Sequence, residues 1–222
     1  MKSLNALRNI YFLLLFLILH TLLPAQTKER SDKEPKQPTL AGKIVEGAEK
    51  EVQRKTLYKE TYELLKYPMG DVPPQYGVCT DLVIRAFRNG SIDIQKLLHE
   101  DRSTHPKEYP THIWDQKNPD KNIDHRRCQN LVVFFKRYAE EIDKKNETKW
   151  KPGDVIFFVH EGKEFPWHVG IISRKKDREG HPMMYHLFPP CANEYSTIHY
   201  GPIDKVYRWK ESQTPEKNKN DK

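Results

Sequence analysis

Cysteine is scarce. The chain has three, Cys79, Cys128 and Cys191, too few for a scaffold stapled by disulfides. Metal-ligand spacing is missing too: despite ten histidines there is no His-Glu-x-x-His and no Cys-x-x-Cys, and His99, His105, His112 and His125 share no repeated offset. No nucleic-acid motif and no internal repeat are present. No apolar run reaches the ~20 residues of a membrane-spanning helix; residues 10–23 are the longest, at 14, and include His20. What is there suits one globular domain. The 222 residues are 36% hydrophobic and 11% aromatic, with Trp114, Trp150, Trp167 and Trp209 spread among apolar runs, a pattern that calls for a packed core.

Residues 1–25 have the layout of a secretory signal peptide: Lys2 and Arg8 without an acid, the apolar run, then Leu-Leu-Pro-Ala before Gln26. Cleavage is expected near Ala25. An uncleaved signal anchor is the alternative, because Leu23 and Ala25 match the small-x-small pattern only in part. No cysteine follows to accept a lipid. Removing the leader leaves 36 bases against 31 acids. That modest excess suits anionic wall polymers or simply a soluble surface. The expected location is periplasmic or secreted, without a stable membrane span, and nucleic acid is not an expected partner.

Residues 26–43 read as a polar linker, 44–210 as the folded body and 211–222 as a disordered charged tail. Apolar spacing predicts one or two amphipathic helices over 44–67 and a helix from Cys79 to Phe87 that stops at Asn89-Gly90. A short helix capped by Ser91 is expected next, and then one with the stripe Leu131, Phe134, Phe135, Tyr138 and Ile142. The period then changes to strands at 155–159, 168–173, 183–188 and 206–209. Helices followed by an antiparallel meander predict an α+β fold.

Within that order, Cys79 stands at a helix N-terminus after the turn-forming Pro73-Pro74-Gln75-Tyr76-Gly77. A thiol there loses its proton readily, and the free N–H groups suit an oxyanion. His168 opens one expected strand as a candidate general base, and His186 lies on the next, placed to orient it. A buried, inert cysteine is the plain alternative.

The residues resemble known families. Trp150-Lys151-Pro152-Gly153-Asp154-Val155-Ile156-Phe157-Phe158 followed by His168-Val169-Gly170-Ile171-Ile172 is similar to the strand pair of NlpC-type papain-like cysteine peptidases. Residues 67–73, 77–88 and 119–127 resemble the bacterial family catalogued as domain of unknown function 1287, over about 57–209. The resemblance implies a papain-like fold, with Cys79 as nucleophile, His168 as base and His186 as orienting residue, acting on cell-wall peptides. The chain departs from the family pattern after His186, where Leu187-Phe188-Pro189-Pro190-Cys191 replaces an Asn-Ile-Gly-like continuation.

Five further residues are candidates for substrate binding beside Tyr76. Asp124, His125, Arg126 and Arg127 precede a helix and suit a carboxylate, with structural ion pairing as the equal alternative. Asp81 caps or stiffens the first turn of the Cys79 helix, and Tyr76 reaches the thiol region or packs as an aromatic. Cys128 and Cys191 form a disulfide or stay as two buried thiols. The expected protein is an exported cysteine hydrolase of peptidoglycan, endopeptidase or amidase, working through a thioester without cofactor or metal. A noncatalytic wall-binding protein and a thiol acyltransferase are the alternatives.

Overall fold

The structure is a computed structural model describing residues 38–213. The expected leader, most of the linker and residues 214–222 lie outside the described residues. Helix α1 (Leu40–Arg54) begins where the Thr39 side chain accepts from the Gly42 N–H, and it ends at Lys55 in the left-handed conformation. Among the described residues the first helix thus starts four residues before the expected 44, because a threonine inside the polar stretch caps it. Beyond Lys55 the chain is extended: the second helix allowed for 57–67 is replaced by strand β1 (Leu57–Tyr58) and a long loop.

After β2 (Tyr76–Gly77) comes the central helix α2 (Cys79–Asn89), whose residues 79–87 are all buried. Its close approach to α1 needs Gly47, where a Cβ would stand 2.7 Å from the Ala86 Cα. Helix α3 (Ile94–Thr104) is capped by Asp93, not Ser91, which sits at positive φ in the preceding turn. Helix α4 (Cys128–Tyr138) stops short of Ile142, which belongs to strand β3 (Ala139–Ile142) and pairs with Val206.

The remaining strands are β4 (Val155–Phe158), β5 (His168–Lys176), β6 (Pro182–Phe188), β7 (Cys191–Ser196) and β8 (Ile203–Trp209). Four of these match the expected runs; β7 was not foreseen. The sheet order is β2-β1-β7-β6-β5-β4-β8-β3, antiparallel except between β1 and β2. The α+β arrangement expected from the sequence is the one observed, with α2 packed on β5 and β6.

Both faces of the sheet centre are covered, which explains why β4 is apolar throughout. Val155 and Phe157 join the main core with Leu82, Phe87, Phe134 and Phe135, while Ile156 and Phe158 join a smaller cluster with Trp150, Met184 and Val206. Among the described residues no helix is long and apolar enough to cross a membrane.

Candidate active site

Strand register brings the two histidines together. Ile171 pairs with Tyr185, which sets Gly170 beside His186 and puts His168 on the same face one diagonal step away. A Cβ at Gly170 would come within 2.8 Å of the Met184 sulfur and 3.4 Å of the His186 Cβ, so glycine keeps this crossing close. His168 Nε2 lies 3.0 Å from His186 Nδ1, and both rings are 1% exposed. Directly opposite His186 on β7 is Asn193, whose Oδ1 is 2.7 Å from His186 Nε2.

That third contact fixes the tautomers. The Asn193 Nδ2–H donates to the Cys191 carbonyl at 3.3 Å, so its Oδ1 is the atom facing His186. His186 Nε2 must therefore donate, which leaves Nδ1 bare to accept the His168 Nε2–H. His168 Nδ1 is then the lone-pair nitrogen available to the thiol. Burial, reinforced by charge on His168, pushes the His186 pKa down to about 4 and keeps its imidazole neutral. Aromatic rings enclose the pair: Tyr200 stacks on His168 with centroids 4.5 Å apart, and Trp167 and Phe188 stand at 5.1 and 5.6 Å.

Cys79 is the first residue of α2, where the leading N–H groups have no intrahelical acceptor. Asp81 accepts from the Val78 N–H at 2.7 Å and grips Arg126 with both oxygens, at 2.7 and 3.0 Å. Thr80 Oγ1 donates to the Arg126 carbonyl. These contacts tie the first turn of α2 to the turn before α4, and so bring Cys128 against the nucleophile, Sγ to Sγ 3.5 Å. The Cys128 S–H is the chief reason the Cys79 thiol lies well below its usual range, ahead of His168 and against the effect of burial. Cys128 is correspondingly held well above its own. All three cysteines are free, so the Cys128–Cys191 disulfide is not formed: packing of two helix N-termini gives Cys128 a different neighbour.

The other candidates separate. Arg126 is buried, its charge paired with Asp81 and one Nη1–H given to the Thr61 carbonyl. Asp124 is 1% exposed and bound by Arg102 and the Asp120 N–H. His125 is equally buried, its pKa pushed down to about 3 by burial and by the Arg126 and Arg88 guanidinium groups. Asp81 is the clamp just described. Tyr76 turns away and donates to Glu63. These five serve the scaffold. Arg126 and Arg127 both line the cleft, but the Arg127 side chain is the more open, 18% exposed against 2%, with its guanidinium carbon 4.0 Å from the Trp114 ring centre.

The cleft encloses about 300 Å³ and is lined by Tyr58, Glu60, Cys79, Trp114, Arg127 and Trp167 among others. A second hollow of about 280 Å³, more apolar and lined by Leu40, Pro152 and Trp209 among others, lies away from this chemistry. Tyr58, not Tyr76, is the tyrosine beside the thiol, and its hydroxyl donates to Glu60 at 2.7 Å. Among the described residues no three His, Cys, Asp or Glu side chains gather as metal ligands would. Sequence reasoning missed Asn193, Tyr58 and the site role of Cys128; for Cys128, the only signal was its place at the start of an apolar helix.

The family model described as "Domain of unknown function (DUF1287)" matches residues 45–209. The chain is 38% identical over 157 residues, 70% of its length and 75% of the relative's, to "Uncharacterized protein YijF" of Escherichia coli strain K12. Two solved structures are similar at lower identity. One is NlpC1 from Trichomonas vaginalis, at 12% identity and TM-score 0.45, with 77% of this chain and 44% of that one covered. The other is a protein described as similar to lipoprotein, NLP/P60 family, from Staphylococcus aureus, at 16% and 0.41, with 78% and 44% covered. The chain thus spans less than half the length of either solved structure.

Proposed function

The chain belongs to the family described as domain of unknown function 1287, and on that premise we propose that it is an exported cysteine hydrolase acting on amide bonds of cell-wall peptides. One observation carries the reading: an acidified thiol at a helix N-terminus beside a histidine whose tautomer is set by a buried His186–Asn193 chain. Cys79 attacks the amide carbonyl, and the first-turn N–H groups receive the oxyanion. His168 Nδ1 takes the thiol proton and returns it to the leaving amine; water, deprotonated by the same nitrogen, then hydrolyses the thioester. His186 stabilises the imidazolium through the unchanged His168 Nε2–H bond.

The cleft supports a peptide with charges of both signs. Arg127 suits a carboxylate and Glu60 an ammonium group, and both line the cleft that holds the thiol. Peptidoglycan stem peptides carry both, and the products are those of an endopeptidase or an amidase. The test is mass spectrometry of purified peptidoglycan after incubation with the protein lacking residues 1–25 and, in parallel, with Cys79→Ala. New fragments from the first alone are expected, their masses naming the bond. Wall sedimentation by both proteins with no fragments from either would replace the hydrolase with a binding protein.

A further inference from the structure

Hydrolysis by Cys79 and His168 uses Cys128 only to acidify the nucleophile, yet Cys128 is itself a reactive group in contact with it. Both cysteines open a helix, and α2 and α4 meet N-terminus to N-terminus. Thr80 and Asp81 on one side and Arg126 on the other lock that meeting in place through three hydrogen bonds, including a bidentate ion pair. The sulfur atoms stand 3.5 Å apart. A disulfide requires an S–S bond of about 2.05 Å, so closure takes roughly 1.5 Å of approach. Cys79 and Cys128 are 8% and 6% exposed and both line the cleft, which admits a small oxidant.

We propose that Cys79 and Cys128 form a reversible redox-modification site, in which a hydroperoxide converts the two thiols into an intramolecular disulfide. The Cys79 thiolate attacks the peroxide: the O–O bond breaks, an S–O bond forms, and the released hydroxide takes a proton to leave as water when the peroxide is hydrogen peroxide. The Cys128 sulfur then attacks the sulfenic sulfur, forming the S–S bond and expelling a second water that carries away the thiol proton. Two electrons pass from the sulfur pair to the peroxide. The division of labour follows from what each sulfur faces: Cys79 has His168 as well as Cys128 beside it and is held well below its usual range, while Cys128 is held well above, so one sulfur is the thiolate and the other the retained thiol.

Two consequences follow for the site. The disulfide occupies the nucleophile and stops hydrolysis, a consequence that rests on the hydrolase reading. It also traps the sulfenic acid before further peroxide drives Cys79 to the irreversible sulfinic acid. Cys191 opens β7 and makes no contact with this pair, so it remains a free thiol throughout.

The test uses purified reduced protein treated with one equivalent of hydrogen peroxide, alkylated under denaturing conditions and mapped by mass spectrometry, with wall-peptide hydrolysis followed in parallel. The expected result is loss of two hydrogens, a Cys79–Cys128 linked peptide, one alkylated thiol in place of three, and full reversal by dithiothreitol. Cys191→Ser forms the same link, whereas Cys128→Ser gains oxygen at Cys79 without the link and, with excess peroxide, passes to a sulfinic acid that dithiothreitol does not reverse. Wild-type protein that gains oxygen at Cys79, or links through Cys191, overturns the proposal whether or not any variant folds. Hydrolysis lost on oxidation and regained on reduction supports both readings. A reversible link without hydrolysis in either state supports the thiol pair and removes the hydrolase.

Discussion

The two walls of the cleft are built by different physics. The sheet wall carries His168, His186 and Asn193 on three adjacent strands, and backbone ladders fix their spacing. Its rings are aromatic-packed and nearly sealed from water. The helical wall carries Cys79, Cys128 and Arg127 on helix starts and turns, with no ladder joining them; its geometry hangs on the buried Asp81–Arg126 pair. The sheet wall is thus positioned by many small, redundant bonds and the helical wall by one strong junction. Loss of a side chain on the first should impair chemistry while sparing the fold, and loss at the junction of the second should impair both.

The largest effect is expected on the sheet wall. His168→Ala removes the proton acceptor and should lower kcat/KM for a wall-peptide substrate by about 10²- to 10⁴-fold, with an unchanged unfolding transition. On the helical wall, Asp81→Ala leaves the Arg126 guanidinium buried and unpaired, a loss of about 3–5 kcal/mol. Urea unfolding measures it directly, and peroxide-driven linking of Cys79 to Cys128 should slow as the helix starts separate. A loss below about 1 kcal/mol, the range of exposed ion pairs, would refute the contrast between the walls.

Each wall also holds one buried neutral histidine, which offers a comparison by titration. The folded pKa is about 4 for His186 and about 3 for His125, against 6.5 as the ordinary value. Between those limits the unfolded chain binds more protons than the folded one, so stability rises with pH and is lost on acidification. The loss is on the order of 3 kcal/mol for His186, ending near pH 4, and on the order of 5 kcal/mol for His125, continuing toward pH 3. Urea midpoints taken from pH 7 to pH 3 should fall through this window, and His125→Gln should remove the portion below pH 4. A flat profile in the wild type would contradict burial of both rings.

The contrast between the walls also explains what could be read from the sequence. Strands β4, β5, β6 and β8 were legible because burial makes them apolar runs bounded by turns, and His168 and His186 were legible through them. Asn193 was not: β7 is only partly buried, reads Cys-Ala-Asn-Glu-Tyr-Ser, and follows two prolines that look like the end of a sheet. On the helical wall, Cys79 was found from its turn and its helix. Arg126 and Arg127 could not be told apart, because what distinguishes them is Asp81, 45 residues away, which neutralises one and leaves its neighbour to the cleft. Tyr58 was hidden in a two-residue strand too short to carry a pattern.

A smaller effect is expected from that neighbour. Arg127→Gln should raise KM about tenfold at unchanged kcat, the signature of lost uniform binding, for peptides with a free carboxylate near the scissile bond. Peptides amidated at that position should be indifferent to the change. An equal loss for both peptides would assign Arg127 to the scaffold with Arg126.

The smallest effect tests how the sheet wall transmits a preference without touching substrate. Asn193→Ala removes one hydrogen bond worth about 0.5–1.5 kcal/mol, so kcat should fall only a few-fold. Its informative consequence is elsewhere. Without Oδ1 to accept from Nε2, His186 is free to place its proton on Nδ1, which then confronts the His168 Nε2–H and turns the His168 ring's lone pair away from the thiol in that fraction of molecules. Nitrogen-15 shifts of the imidazoles should report a mixture of His186 tautomers in the variant and one in the wild type. Asn193→Asp restores an acceptor at the same place and should restore the single tautomer, which a merely space-filling role for Asn193 would not require. If Ala and Asp behave alike, the tautomer of His168 is set on the thiol side of the cleft, and the helical wall governs the chemistry of both.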